Sequence, residues 1–151
     1  MKGFSLIELI IVIAISIILA VIGVLNLFNY RTYKDLDLTV NEIISTLRVA
    51  RNYSISQELI EPGSGKKWGV YFGIGDYILY RGENHNDSGK VTLSKSVLRT
   101  TVQFKTMPNP ADIIFEPITG KLDSANIIEV SLKSNPEMFK TITIDQNGRI
   151  N

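Results

Sequence analysis

The acidic residue with the most unusual setting in this sequence is Glu8, which lies inside a long apolar run. The chain begins Met1-Lys2-Gly3-Phe4-Ser5-Leu6-Ile7-Glu8, and residues 9–25 carry no charge. A carboxylate within a membrane helix costs about 2.5–3.5 kcal/mol on insertion scales, so such a residue usually has a partner. A position near the membrane interface, with the side chain extended towards water, needs no partner and stays open as a second interpretation.

Other residues that could do chemistry are less informative. His85 lies in the polar stretch 82–89, where a metal could bind, but the acidic spacing is not that of a calcium loop and a solvated loop is favoured. A Ser-His-Asp site would depend on this single His, and no nucleophile-elbow motif accompanies it. Gly73-Ile74-Gly75 precedes no helix start and is not a phosphate loop. The chain has no Cys, which excludes a thiolate site and a disulfide scaffold. We therefore predict no enzyme, no cofactor and no metal.

Charged and aromatic side chains offer two further candidate surfaces. Arg48 and Arg51 could bind an anion, although a solvated helix face is the more common role. The formal net charge is +1, which gives the whole chain no electrostatic preference for nucleic acid. An aromatic group could form a stacking surface, but alternation along strands predicts that at least half of it is core: Trp68, Tyr71, Phe72, Tyr77 and Tyr80.

The apolar run at residues 4–25 predicts the element that positions Glu8. As a helix it would be roughly 33 Å long, close to the bilayer hydrocarbon core of about 30 Å. A secretory signal peptide has a shorter apolar region that ends in a small-residue cleavage site. A core helix of a globular domain would be apolar on one face, whereas this run is apolar on all sides. We therefore predict a transmembrane helix.

Helical periodicity continues beyond the apolar run. Apolar residues recur at spacings of three and four, at Leu36, Val40, Ile43, Ile44, Leu47 and Ala50. Pro62-Gly63-Ser64-Gly65 stops any helix. The pattern predicts one helix from about Phe4 to Gln57, uniformly apolar in its first half and amphipathic in its second.

The rest of the chain reads as antiparallel β-sheet. A hairpin is predicted at Trp68–Phe72 and Tyr77–Tyr80, and a polar loop follows at Gly82–Lys90. Further strands are predicted at Val97–Lys105, Asp112–Glu116, Ile127–Lys133 and Phe139–Ile144, with turn signals between them. The predicted fold class is α+β, with the long helix packed on an antiparallel sheet. The predicted segments are 1–3, 4–28 (membrane helix), 29–61 (amphipathic helix half) and 62–151 (β domain).

The first residues resemble the class III signal of type IV prepilins and pseudopilins: Gly3-Phe4, then Glu8 at the fifth position after Gly3, then the apolar run. The resemblance implies that residues 1–3 form a leader, and that a membrane prepilin peptidase cuts between Gly3 and Phe4 and methylates the amine of Phe4. It also implies that Glu8 meets the N-terminal amine of a neighbouring subunit. The resemblance thus supplies the partner that the buried carboxylate requires.

Later motifs resemble the GspH/FimT group, which contains minor pseudopilins of type II secretion and FimT-like minor pilins. They are Leu47-Arg48-Val49-Ala50-Arg51-Asn52-Tyr53-Ser54-Ile55, Phe115-Glu116-Pro117 with Gly120, Ile127–Leu132, Ile142-Thr143-Ile144 and Gly148-Arg149-Ile150. Ser54 departs from the small Ala that is usual in this group.

The resemblance implies a structural subunit of a type II secretion pseudopilus or a type IV pilus. Its partners would be other pilin or pseudopilin subunits, the peptidase and an inner-membrane assembly platform. It would cross the inner membrane once, with a periplasmic C-terminal domain, before entering a filament. The alternative is a FimT-like DNA receptor with Arg149 as its binding residue. That alternative is disfavoured, because Asn151 stands where the group's DNA-binding members carry a second Arg.

Overall fold

In a computed structural model of the chain, residues 5–56, 66–106, 108–109 and 111–151 are described, without the side chains of residues 22–26, 28 and 29. One helix, α1, spans Leu6–Ile55. The described strands are β1 (Trp68–Phe72), β2 (Asp76–Arg81), β3 (Val91–Val97), β4 (Val102–Thr106), β5 (Asp112–Phe115), β6 (Asn126–Leu132) and β7 (Phe139–Ile144). The predicted α+β class, with a long N-terminal helix and an antiparallel sheet domain, is confirmed.

The chain divides into two compact units, Met1–Lys34 and Asp35–Asn151. In the first unit, the large apolar residues from Leu6 to Val21 that are described are all at least half exposed, at 51–77%. No helix within the described residues has both the length and the apolarity needed to cross a membrane. The predicted transmembrane segment 4–28 stays a prediction, and part of it lies outside the described side chains.

In the second unit, the apolar stripe of α1 is core. Leu36, Val40, Ile43, Leu47 and Ala50 are all buried, and the last three of them are fully so. Their spacing places them on one face of the helix, whereas charged residues such as Glu42 and Arg48 are exposed. The helix is therefore amphipathic over residues 36–50, while the predicted bounds 29–61 of this segment stay a prediction.

Two antiparallel sheets complete this unit. One has the order β3-β2-β1-β5 and the other β4-β6-β7. Alternate residues of every strand except β3 face the core, because successive side chains of a strand point to opposite faces. The strand residues of the shared core are Trp68, Val70, Phe72, Tyr77, Leu79, Ile113 and Phe115 in the first sheet, and Val102, Phe104, Ile128, Val130, Leu132, Ile142 and Ile144 in the second.

Aromatic contacts join these layers. The ring centroids of Tyr53 on α1 and Trp68 on β1 are 4.7 Å apart. Phe72 of the first sheet meets Phe104 of the second edge to face, with centroids 5.6 Å apart. Such pairs contribute about 0.5–1.5 kcal/mol beyond the area they bury. The helix and both sheets thus share a single apolar core.

The sequence prediction was wrong at one strand. Val97–Lys105 was expected as a single strand, but Val97 ends β3 and Val102 begins β4, with residues 98–101 between them. β3 was missed because its signal is weak: it lies at the edge of its sheet, every residue except Ser96 is exposed, and Lys95 interrupts the alternation of Val91, Leu93 and Val97. The expected hairpin, the loop at 82–90 and the last three strands are confirmed to within a residue or two.

The buried stripe leads to a stability prediction for the fragment 29–151, which we expect to fold as a monomer. Leu47→Ala should lower its free energy of unfolding by about 2–5 kcal/mol, because a fully buried leucine leaves a cavity. Leu38→Ala on the exposed side of the same helix should change it by less than about 0.5 kcal/mol. Urea unfolding followed by circular dichroism measures both. Equal effects, or aggregation of the fragment, would mean that the stripe packs on another subunit.

Candidate functional site

The predicted processing residues Gly3 and Phe4 lie outside the described residues. The described chain begins at Ser5, where the helix starts with a reciprocal pair of hydrogen bonds. The Ser5 backbone N–H donates to Glu8 Oε2 at 2.9 Å, and the Glu8 N–H donates to Ser5 Oγ at 3.3 Å. This is a capping box, in which residues three apart satisfy two N–H groups that the first helical turn leaves open.

The capping box was missed in the sequence analysis, although its signal is present. Ser5-Leu6-Ile7-Glu8 has a Ser followed three residues later by a Glu, directly before an apolar run. Glu8 thus has a partner within its own helix turn. One carboxylate oxygen is occupied by the Ser5 N–H, and Oε1 makes no hydrogen bond within the described residues. Within the described residues, that oxygen is thus available to a further donor.

A second site lies where the end of α1 meets two glycine turns. Gly120 and Gly148 have φ of 60° and 74°, in the left-handed region that favours glycine. A Cβ on Gly148 would collide with the Gly120 carbonyl oxygen, and one on Gly120 would approach the Ile55 Cδ1 to 2.9 Å. The positive φ and these contacts require glycine at both positions. The Arg51 side chain packs against both turns, 3.1 Å and 2.8 Å from where the two Cβ atoms would lie. Its Nη2 donates to the Asn147 carbonyl at 3.4 Å.

Ser54, which stands where the related group usually has alanine, makes hydrogen bonds that alanine could not make. The fully buried Ser54 hydroxyl lies 2.6 Å from the Glu116 carbonyl and 3.0 Å from the Phe115 carbonyl. The Ser54 carbonyl in turn accepts the Ile118 N–H at 2.8 Å. These bonds fix the turn after β5 to the last turn of α1, and an alanine at this position would lack the hydroxyl.

Three arginines converge beside these turns. Arg48 and Arg51 from the helix and Arg149 from the chain end line a cleft of about 370 Å³. None of the three joins an ion pair within the described residues. Its other lining residues are Asn52, Gly148, Ile150 and Asn151. We name this the arginine cleft. Arg149 is far from the helix arginines in sequence, and only the folded chain brings the three together.

The loop that carries His85 folds against the outer face of the first sheet. Asp112 anchors it, since one carboxylate oxygen accepts the His85 N–H at 2.8 Å and the other accepts the Tyr80 hydroxyl at 2.6 Å. The His85 ring stacks on Tyr71 with centroids 3.7 Å apart. Lys90 Nζ donates to the His85 carbonyl at 2.6 Å. The loop is thus ordered by specific contacts.

Burial and the nearby Lys90 lower the pKa of His85 below its ordinary value of 6.5. Burial, and then the bond to Asp112, raise the pKa of the Tyr80 hydroxyl. Among the described residues, no group of three His, Cys, Asp or Glu side chains could hold a metal. The contacts of this loop have a structural role, since they hold it against the first sheet.

The aromatic residues considered as a stacking surface are mostly core. Trp68, Phe72, Tyr77 and Tyr80 are buried. Tyr71 is half-buried and is covered by His85. The preference for core over a stacking surface is therefore confirmed.

Comparison with solved structures supports the fold. Two crystal forms of the Pseudomonas aeruginosa PAO1 type IV minor pilin FimU resemble this chain. In one crystal form the TM-score is 0.60 at 17% identity, covering 79% of this chain and 88% of that chain. In the other, the TM-score is 0.58 at 18% identity, covering 77% and 90%. No family model and no curated protein matches. The chain thus has the fold of a type IV minor pilin, as the sequence motifs implied.

The His85 contacts lead to a prediction about pH. A pKa lowered in the folded state means that the unfolded chain binds the proton more readily below about pH 6.5. His85 therefore contributes stability above pH 6.5 that is lost as the pH falls below it. We expect His85→Phe, which keeps a ring on Tyr71 but cannot titrate, to show a smaller fall in melting temperature between pH 7.5 and about pH 5 than the unsubstituted chain. An equal fall in melting temperature for both proteins over this pH range would contradict the prediction.

Proposed function

We propose that this chain is a minor pilin or pseudopilin, a structural filament subunit that is held in the inner membrane before assembly. Its C-terminal unit would lie in the periplasm, and its partners would be other subunits, the prepilin peptidase and the assembly platform. The role proposed is mechanical and not enzymatic. The FimU-like fold and the class III signal at Gly3-Phe4 to Glu8 support this proposal.

The observation that carries the proposal is the contrast between the two units. The second unit buries the apolar stripe of its own helix segment. The first unit leaves its large apolar residues 51–77% exposed, from Leu6 to Val21. Covering such a surface is worth about 25 cal/mol per Å², so it favours either lipid or other apolar helices. A subunit that moves from a bilayer into a filament meets both.

Glu8 gives this helix an attachment point. Its capping bond to Ser5 uses one carboxylate oxygen, so the carboxylate can accept a second donor without losing the cap. After cleavage before Phe4, the free amine of a neighbouring subunit is a donor of the right charge. A charged donor strengthens such a bond in a low-dielectric setting. We therefore assign Glu8 to assembly.

The processing step is tested at Gly3. A peptidase must accommodate an extended backbone at the scissile bond, and a branched side chain there should obstruct it. Gly3→Val should leave the full-length precursor in the membrane, whereas the conservative change Lys2→Arg should not affect cleavage. Mass spectrometry of the intact protein decides the matter. A mature species beginning at Phe4 in the Gly3→Val variant would refute this assignment.

The role of Glu8 is tested with two substitutions. Glu8→Gln can keep the capping bond, because glutamine serves in capping boxes, but it lacks the charge. Glu8→Val lacks both, and it removes a costly group from lipid, so it should insert at least as well. We expect both variants to be incorporated into filaments less than the unsubstituted chain, as measured by immunoblotting of sheared filaments against membranes. Normal incorporation of Glu8→Gln would mean that the cap matters and the charge pair does not.

The arginine cleft favours DNA binding as a second candidate function. Arg48, Arg51 and Arg149 place three cations around one cleft, and guanidinium groups bind phosphate well. Arg51 is partly committed, since it donates to Asn147 and packs between two glycines. Three cations can neutralise only about three phosphates, whereas proteins that bind DNA strongly make about six to ten phosphate contacts. Binding in this cleft would therefore release few counterions from the DNA. This candidate therefore ranks second.

We expect weak DNA binding, with a Kd no tighter than the roughly 10⁻⁴–10⁻⁶ M of non-specific contacts at physiological salt. The logarithm of the binding constant should fall linearly with the logarithm of the salt concentration, with a slope of about −0.9 per neutralised phosphate. With at most three phosphates neutralised, the magnitude of that slope should be below about three. A fluorescence titration of duplex DNA with the chain measures both quantities. Saturation well below a micromolar that is lost in Arg149→Ala would make DNA uptake the leading function.

A further inference from the structure

A small apolar surface in the second unit is presented to solvent at one turn. Ile74 lies between Gly73 and Gly75 in the turn from β1 to β2, and it is 92% exposed. Val97, at the end of β3, is 72% exposed. The Leu98 N–H donates to the Gly75 carbonyl at 2.9 Å, which holds the end of β3 against this turn. Two bulky apolar side chains are thus presented side by side.

These residues form the rim of a groove of about 510 Å³ that has an apolar floor. Leu98, Val102 and Phe104 supply the floor and are themselves part of the core. We call this surface the tip groove. Single exposed apolar residues are common, but a contiguous apolar groove usually marks an interaction site.

The two charged residues that line the tip groove, Arg99 and Lys133, are both cations, and none of the described residues that line it is Asp or Glu. Arg99 is offset by its ion pair with Glu42 on the helix, whereas the Lys133 side chain is exposed and joins no ion pair in the described chain. An apolar surface beside the cation Lys133 fits an anionic partner. It disfavours self-association through the same groove, because a two-fold contact would bring cations against cations.

The tip groove lies at the end of the second unit where the chain enters it. Thr101 Oγ1 donates to Asp35 Oδ2 at 2.9 Å, and Arg99 pairs with Glu42 at 2.5 Å. Asp35 is the first residue of this unit. On the proposed function, the membrane segment ends at residue 28, so only residues 29–34 intervene, and six residues span at most about 20 Å even when fully extended. A bilayer surface is therefore within reach of this end.

We propose that, while the subunit waits in the membrane, the tip groove docks on the headgroup layer of a bilayer that contains anionic phospholipid. Ile74 and Val97 enter the interface, and Lys133 faces lipid phosphates. Apolar burial and attraction to anionic lipids are the two terms that hold proteins at such interfaces. This inference rests on the proposed membrane-held state, and it adds a second, reversible contact that assembly must break.

The absence of Cys from the chain allows a direct test by single-site labelling. The full chain is reconstituted into vesicles of phosphatidylcholine and phosphatidylglycerol that carry a lipid-attached quencher near the headgroups. An environment-sensitive fluorophore is placed at Ile74→Cys. The matched control is Ile118→Cys, since Ile118 is also an exposed isoleucine on a turn, at 74%, but next to the other end of this helix segment. Ile15→Cys reports insertion of the first unit in parallel vesicles whose quencher is attached to the acyl chains, because Ile15 lies near the middle of the predicted membrane segment and too deep for a headgroup quencher.

We expect quenching at Ile15 and Ile74, with at least about a twofold excess of quenching at Ile74 over Ile118. Lys133→Gln, or vesicles of phosphatidylcholine alone, should reduce the quenching at Ile74 and leave that at Ile15 unchanged. Quenching at Ile15 without excess at Ile74 would overturn the docking and leave the proposed function intact. No quenching at Ile15 would overturn the membrane-held state and the docking with it. Self-quenching at Ile74 that disappears when the protein is diluted into excess lipid would identify a second copy as the occupant and overturn the docking.

Discussion

The fold of the second unit depends on burying one stripe of α1 against two sheets at once. Ile43, Leu47 and Ala50 are fully buried, and they share a core with residues from both sheets. The sheets are separate hydrogen-bonded ladders, so the core between them, including Phe72 against Phe104, must join them. Close packing makes such a core intolerant of volume changes. The strands can therefore vary at their exposed positions, while the helix stripe cannot.

The end of α1 shows how this burial places loops. The Arg51 side chain passes two glycines with positive φ, and the buried Ser54 binds the carbonyls at the end of β5. In this arrangement the backbone of Ile118 is strained, with a φ of 64° that a β-branched residue rarely adopts. Its N–H bond to the Ser54 carbonyl shows what holds it there. The arginine cleft follows from the same geometry, because Arg48 lies one helical turn before Arg51 and Arg149 follows Gly148.

Periodicity was enough to predict the helix stripe and most strands, because those patterns arise from burial itself. It failed for β3, where the alternation of Val91, Leu93 and Val97 is interrupted by Lys95 and nearly all residues are exposed, so burial does not enforce the pattern. The capping box was within reach, since Ser5 and Glu8 are a local motif. The arginine cleft and the contacts of Ser54 were not, because they join residues more than sixty positions apart. Local chemistry can be read from a sequence, whereas sites assembled by packing need the fold.

The apolar side chains of α1 are buried in its second half and exposed in its first half, and the proposed function depends on both properties. The second half is satisfied within its own unit, so that unit need not unfold when the subunit changes surroundings. On the proposed function, the exposed apolar side chains of the first half suit lipid and the helices of other subunits equally, so packing and polar contacts must favour the filament. Glu8 would serve both states, because its cap to Ser5 satisfies one carboxylate oxygen in either of them. Only the pairing of the other oxygen has to change, and a buried charge that gains a partner favours the assembled state.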